Sequence, residues 1–320
     1  MLLAGAALAA PASAQAPGGT PTPLTVMVFQ GMQNLPLFAA QSKGFFAKHG
    51  LAVDMKIAPS SDEVRNGLAE GRWQIAHGAI DNSVAMVDVA KADAVIFMGG
   101  DNGFNSLLVQ SDIGSWSDLR GKTVAVDAAN TAYAFLLYAI LRQNGLERGT
   151  DYDVKAVGSS FRRYETVVAD RSLKATMLNP PFSLRAVQAG LKDMGLAVKA
   201  IGPYQATGGF VMRSWAKANA DTMVRYIQAY MEALRWSLDP ANRDEAVRLL
   251  VDGLKLVPDL AARCYEIETD AATGLAKDAR FDLEGFKTVL RLRAEFAGGT
   301  PPAPEKYLDL SYYQRAMTGL

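Results

Sequence analysis

LTVMVFQGMQNLPLFAAQSKGFFAKHGLAVDMKIA, residues 24–58, is the first stretch of the chain with a legible architecture. Leu24 to Phe29 is an apolar run interrupted at Thr25, which reads as a strand. A loop rich in side-chain amides follows, with Gln30, Gln33 and Asn34. The spacing then predicts one amphipathic helix from about Leu35 to Lys48, with Leu37, Phe38, Phe45 and Phe46 on its apolar side. His49-Gly50 ends it, since glycine takes the left-handed C′ conformation cheaply. A second strand is expected over Val53 to Ala58. Strand, polar loop, helix and strand make a βαβ unit, and in open α/β sheets the loop after such a strand faces the ligand crevice. Gln30, Gln33 and Asn34 are therefore the first candidate site residues.

A second copy of this logic lies further along. Thr123 to Asp127 reads as a strand, Ala128 to Thr131 as a short polar loop, and Ala132 to Asn144 as a helix. Asn130, Thr131 and Tyr133 place a cap, a hydroxyl and an aromatic wall at one helix start. Between the two units, Trp73 to His77 reads as a strand, and Asp81 or Asn82 as cap of the next helix. Asn105 stands in an apolar strand, Phe104 to Gln110, at a cleft-facing position or at an edge or hinge position. Ser60 or Ser61, and Ser159 or Ser160, are placed to cap two further helices. Arg162-Arg163 supplies a cation to an anionic ligand or belongs to a solvated helix face; Arg162 is taken as the site candidate. Asn179 precedes two prolines, which hold it extended. Ala197 to Ile201 and Gly209 to Met212 read as strands. Beyond Arg213 the chain turns helical, with Gly253 past the end of one helix and a later helix over Pro258 to Leu275.

Composition narrows the function class. The chain has 320 residues, 49% hydrophobic and 21% charged, enough for two domains. Lys+Arg and Asp+Glu balance at 33 each, so no bulk field favours nucleic acid. Cys264 is the single cysteine and reads as a buried structural thiol. His49 and His77 are the two histidines, too few and too isolated for a triad or a zinc site. No catalytic residue, metal or cofactor is expected. Residues 1–14 read as a signal peptide, an apolar run ending in Ala12-Ser13-Ala14. At ~14 residues it is too short to span a bilayer, which takes ~20. Residues 15–23, rich in Pro, Gly and Thr, read as a flexible tether.

Pro36-Leu37-Phe38-Ala39-Ala40-Gln41-Ser42-Lys43-Gly44-Phe45-Phe46, followed by His49-Gly50-Leu51-Ala52-Val53, resembles the signature of periplasmic solute-binding proteins of ABC importers. The branch is the sulfonate, taurine and thiamine-precursor type. Leu68 to Ala76, Leu119 to Val126, Leu173 to Phe182 and Val211 to Leu250 are similar to the family's later segments, in register. The resemblance implies an α/β fold of two domains, the type II periplasmic-binding fold, with an interdomain ligand cleft and a helical C-terminal region. It places domain I at 24–111 plus 203–320 and domain II at 112–202. It implies a soluble monomeric periplasmic protein, not an enzyme, that captures a small organic anion or heterocycle and delivers it to ABC permease subunits in the inner membrane. A sensor that feeds a receptor is the same device with another partner. Thiamine-pyrimidine synthases of the wider family use an active-site histidine and a cysteine-rich run. Here Asp81 or Asn82 falls near that histidine, and Ala206 to Phe210 replaces the cysteines, which argues against that chemistry.

Overall fold

The computed structural model describes residues 19–320. The expected signal peptide, and the tether up to residue 18, lie outside the described residues. The chain runs β1 (Thr22–Val28), α1 (Leu35–Ser42), α2 (Phe45–Lys48), β2 (Leu51–Ile57), α3 (Ser61–Ala69), β3 (Ile75–Ala79), α4 (Asp81–Asp88) and β4 (Ala94–Gly99). It then crosses to a second unit: β5 (Ser106–Val109), β6 (Lys122–Val126), α5 (Ala132–Gln143), β7 (Tyr152–Ala156), α6 (Ser160–Ala169), β8 (Leu173–Leu178), α7 (Phe182–Gln188), β9 (Lys192–Leu196) and α8 (Ala197–Ile201). It returns through β10 (Thr207–Met212). Six helices follow: α9 (Arg213–Ala218), α10 (Ala220–Leu238), α11 (Arg243–Leu254), α12 (Pro258–Glu268), α13 (Leu283–Ala297) and α14 (Ser311–Thr318).

The strands form two five-stranded sheets, ordered β2-β1-β3-β10-β4 and β7-β6-β8-β5-β9. In each, three parallel strands carry the βαβ logic, and the strand that arrives across the domain boundary, β10 or β5, inserts antiparallel. Helices cover the parallel strands, so Val26, Met27 and Val28 of β1 are all buried, as parallel sheets require. On one face of the first sheet, Val26, Val28 and Leu37 share a core with Met223, Ile227, Tyr230 and Leu234 of α10. That stripe is the one its helical spacing predicts. Cys264 is buried in a separate apolar cluster with Leu250 and Leu260, and burial pushes its thiol up to about 12.

Several elements differ from expectation for identifiable reasons. β1 begins at Thr22, because Thr22 and Pro23 pair with Leu51 and Ala52, so the tether is shorter than predicted. The single helix over 35–48 is broken between α1 and α2 by Gly44, at φ 75°. Gly44→Ala is therefore expected to lower stability by about 1 kcal/mol, read as a drop in Tm, since a Cβ is penalised in the left-handed region. Gly253 lies inside α11 rather than beyond it; a Cβ there would come within 2.7 Å of the Phe38 ring, so the glycine allows α11 to approach α1. The predicted helix over 258–275 ends at Glu268. Ala197–Ile201 is helical, and the neighbouring strand is β9 before it. A five-residue apolar run has no period that tells strand from helix. Ser106–Val109 pairs with β8 and β9, so the first crossover is 100–105 and not 111–112. The return runs through 202–206.

Candidate ligand-binding cleft

Three strand-to-helix turns from each unit meet at one cavity of about 350 Å³. From the first unit come the turns after β1 (Phe29, Gln30, Gln33), β2 (Ala58, Pro59, Ser60) and β3 (Ala79, Asp81, Asn82). From the second come those after β6 (Asp127, Ala128, Thr131), β7 (Gly158 to Arg163) and β8 (Asn179). All six lie at the carboxyl ends of parallel strands, where an open α/β sheet presents helix N-termini and loop backbone. Thr207, at the start of β10, completes the lining.

Gln30, Gln33, Asp81, Asn82, Thr131, Tyr133, Arg162 and Asn179 all line the cavity. Asn34, Asn105 and Asn130 do not. Asn34 is buried, and its Nδ2 donates to the Phe29 carbonyl at 2.7 Å, fastening the loop from behind. Asn105 is buried immediately before β5, at the crossover, outside the lining. Asn130 is exposed at the surface turn before α5 and makes no cap. At α4, too, the cap position differs from expectation and falls to Ile80. Neither Asp81 nor Asn82 caps that helix; both stand in its first turn.

The first wall is built from committed polar groups. Gly31 leaves room for Gln33 to fold over the loop, since a Cβ at Gly31 would fall 2.1 Å from the Gln33 amide. Asp81 is clamped by Arg293 through Nε at 2.6 Å and Nη2 at 3.0 Å. Burial pushes the Asp81 carboxyl upward and the Arg293 guanidinium opposes that shift. Asn82 donates to the Ala79 carbonyl at 3.0 Å and accepts from Arg65 at 2.9 Å. Ser60 caps α3 by accepting from the Glu63 amide at 3.2 Å.

On the second wall the inward cation of the Arg162-Arg163 pair is Arg163, not the candidate Arg162. Arg163 is 1% exposed and lines the cavity, whereas its neighbour Arg162 is exposed at the rim. Its guanidinium donates to the Met177 carbonyl (Nη2, 3.0 Å), the Gly158 carbonyl (Nη1, 2.6 Å) and the Ser160 hydroxyl (Nη2, 3.1 Å). Asp127 stands 3.9 Å from Nη1. Burial lowers the Arg163 pKa and the Asp127 charge opposes it; arginine nevertheless stays protonated in proteins. Thr131 donates its hydroxyl to Asp127 at 2.5 Å and to the Ala128 carbonyl at 3.0 Å. Tyr133 packs its ring 5.8 Å from the Arg163 guanidinium. Burial, then the Asp101 charge, raise its phenol well above the usual range, so it remains a hydrogen-bond donor. Across the cleft, Asn179 Nδ2 donates to Gln33 Oε1 at 3.3 Å, joining the two walls.

The histidines and the cysteine lie elsewhere. His77 faces α10, within 2.8 Å of the Tyr226 hydroxyl and stacked on Tyr230, and burial lowers its pKa to about 3. His49 meets Glu232 at 2.9 Å near the end of α2. The lining thus offers amides, hydroxyls, one buried cation, the carboxylates of Asp62, Asp81 and Asp127, and aromatic faces. Such a set suits recognition of a small polar molecule.

Comparison with known proteins agrees with this architecture. The chain is 25% identical over 224 residues to "Putative binding protein YtlA" of Bacillus subtilis (strain 168), a match covering 65% of the chain and 64% of that protein. The chain thus spans less than two thirds of the curated relative it matches. Among solved structures, the periplasmic nitrate-binding protein NrtA from Synechocystis PCC 6803 superposes with a TM-score of 0.77 at 15% identity, covering 96% of the chain and 90% of that structure. The periplasmic aliphatic sulphonate binding protein SsuA from Escherichia coli gives 0.70 at 16%, covering 90% and 92%. The ligand binding component of an ABC-type import system from Staphylococcus aureus gives 0.76 at 13%, covering 92% and 99%. At such identities the likeness is one of fold, the two-domain α/β periplasmic-binding architecture. A model of the NMT1-like family matches residues 18–251, well over half of the 320 residues, and the chain belongs to that family.

Proposed function

We propose that the protein is an extracytoplasmic solute-binding component of an ABC import system. It holds a small organic anion or heterocycle between its domains and presents the closed form to a membrane permease. The observation that carries this reading is the origin of the cleft lining: three turns from each unit surround one cavity of about 350 Å³. A ligand that touches both walls favours the closed arrangement by its differential contacts, which is how a two-domain trap couples binding to motion. Two structural neighbours support the assignment, one described as a ligand binding component of an ABC-type import system and one as a periplasmic aliphatic sulphonate binding protein. Among the described residues no helix is long and apolar enough to cross a membrane. We read it as a monomer acting in the periplasm; one chain supplies both walls, so the cleft needs no second copy.

Support for the ligand class comes from the second wall. Arg163 is buried without a carboxylate closer than 3.9 Å, and the α6 N-terminus beside it has no side-chain cap. Both favour an acceptor-rich or anionic group on the ligand. A thermal-shift screen of sulfonates, carboxylates and pyrimidines tests this, because a ligand at 100 times its Kd adds about 2.7 kcal/mol. Gln33→Ala and Asn179→Ala are expected to weaken the hit, and Asn130→Ala to leave it unchanged. Absence of any shift across the three classes would sink the ligand assignment.

A further inference from the structure

The crossover segments 100–105 and 202–206 are not the whole connection between the domains. α13, from the C-terminal helices, lies against α5 of the second unit. The Phe296 ring stacks on Phe135 with centroids 6.1 Å apart and meets Tyr138 edge-on at 5.6 Å. Arg142 Nη1 donates to Glu295 Oε1 at 2.8 Å, and its guanidinium lies 4.6 Å from the Phe296 ring centre. Val289, Leu290 and Leu292 of α13 share one apolar cluster with Leu137 and Ile140 of α5.

Arg293 ties this contact to the cleft. Its guanidinium lies 5.5 Å from the Phe135 ring centre, a cation held over an aromatic face on the other domain. The same guanidinium clamps Asp81 at the start of α4, on the first wall. α5 opens with Thr131, Ala132 and Tyr133, all on the second wall. One nearly buried side chain, 8% exposed, therefore touches the element behind each wall.

We propose that α13 is a third interdomain connection and that Arg293 is a positioning residue, fixing the spacing of α4 and α5 and so the width of the cleft. The significance of that width rests on the cleft being a solute site. Two crossover segments alone form a loose hinge, whereas a stacked aromatic pair with an ion pair at its edge allows rotation about one line and resists separation. Opening then pivots on the α5–α13 contact, with the ends of the cleft away from α13 moving furthest.

The test needs no ligand. Asp54→Cys and Lys155→Cys place spin labels on exposed positions of the edge strands β2 and β7, one per domain. Cys264 is buried, with its thiol pushed up to about 12, so labelling is selective. Double electron–electron resonance then reads the interdomain distance. Phe296→Ala and Arg293→Met are expected to broaden and displace the distribution. Arg293→Lys, which keeps the charge beside Asp81 but loses the guanidinium over the Phe135 ring, should restore it in part. Should Arg293→Met fail to fold, Phe296→Ala decides alone, since Phe296 is only partly buried. Folded variants, by near-UV circular dichroism, that keep the parent's distance distribution would overturn the proposal. Failure of the solute-capture reading would leave this measurement unmoved, because no solute enters it.

Discussion

Arg163→Met is expected to weaken binding of the screened ligand by about 2 kcal/mol or more, some thirtyfold, the loss typical of truncating a buried, hydrogen-bonded charge. The same change strands the Met177 and Gly158 carbonyls and leaves Asp127 without its nearest cation. Removing one partner of a buried charge pair costs about 3–5 kcal/mol of stability. Asp127 is 18% exposed and 3.9 Å away, so the lower end of that range applies. Arg163→Lys separates the two roles. Lysine keeps the charge but lacks the planar fork, and it cannot hold both carbonyls and the Ser160 hydroxyl in one plane. Isothermal titration and urea unfolding of both variants read the outcome. Ligand affinity untouched in Arg163→Met would show that this guanidinium is scaffold alone.

The second large effect concerns two carboxyls outside the cleft. Glu268 is fully buried at the end of α12, and neither of its oxygens has a hydrogen-bond partner. Burial, with the Asp101 charge adding to it, holds its pKa well above the usual carboxylate range. Asp101 is itself buried; desolvation raises it to about 6, while bonds from Thr207 and the Gly103 amide pull the other way. Tyr230 and Cys264, which feel Glu268, are raised as well and stay neutral at physiological pH. The sign follows from proton counting. Below about pH 4 folded and unfolded chains both hold these protons, and neither carboxyl affects the balance. As pH rises above that, the unfolded chain releases protons that the folded chain retains, so stability falls. For Asp101 the fall ends near pH 6; for Glu268 it continues further. Each retained proton sets a slope of at most about 1.4 kcal/mol per pH unit. Glu268→Gln removes one such slope, so its stability should match the parent in acid and exceed it increasingly toward neutral pH. Urea unfolding at pH 4.5, 6 and 7.5 checks this; curves that stay parallel would refute it.

Much of the architecture is legible in the sequence because period and punctuation agree. Leu24 to Ala58 opens on an apolar run, loops, turns helical and stops at Gly50, and the structure places its strands side by side in register. Ala197 to Ile201 is too short for a period, and in the structure it packs against α5 as a helix. Crossover positions are equally silent, because Ser106 to Val109 reads as a strand whichever sheet it joins. In the site, residue type misled at amides. Asn34, Asn105 and Asn130 look like ligand contacts, yet whether an amide faces a cavity or fastens a loop depends on tertiary placement. Arg162 and Arg163 illustrate the same limit. Consecutive helical residues point about 100° apart, and it is the seat of α6 on β8 that turns Arg163 inward. A signal was available all the same: Ser60 and Ser159 mark matching strand-to-helix turns, and that pairing points to the β7–α6 loop as a wall.

The strand order of the first sheet also has a consequence in time. β10 separates β3 from β4 and, among the described residues, is β4's sole strand partner in that sheet, yet it emerges only after the whole second unit has been made. The second unit is continuous from Ser106 to Ile201 and can close its own sheet as soon as it is complete. The first cannot: until residues 207–212 arrive, β3 shows an open edge and β4 has no strand beside it. Unpaired edges are where chains join wrongly. The amino-terminal unit is therefore the last to mature, and the interval before β10 docks is when the nascent chain most needs shielding.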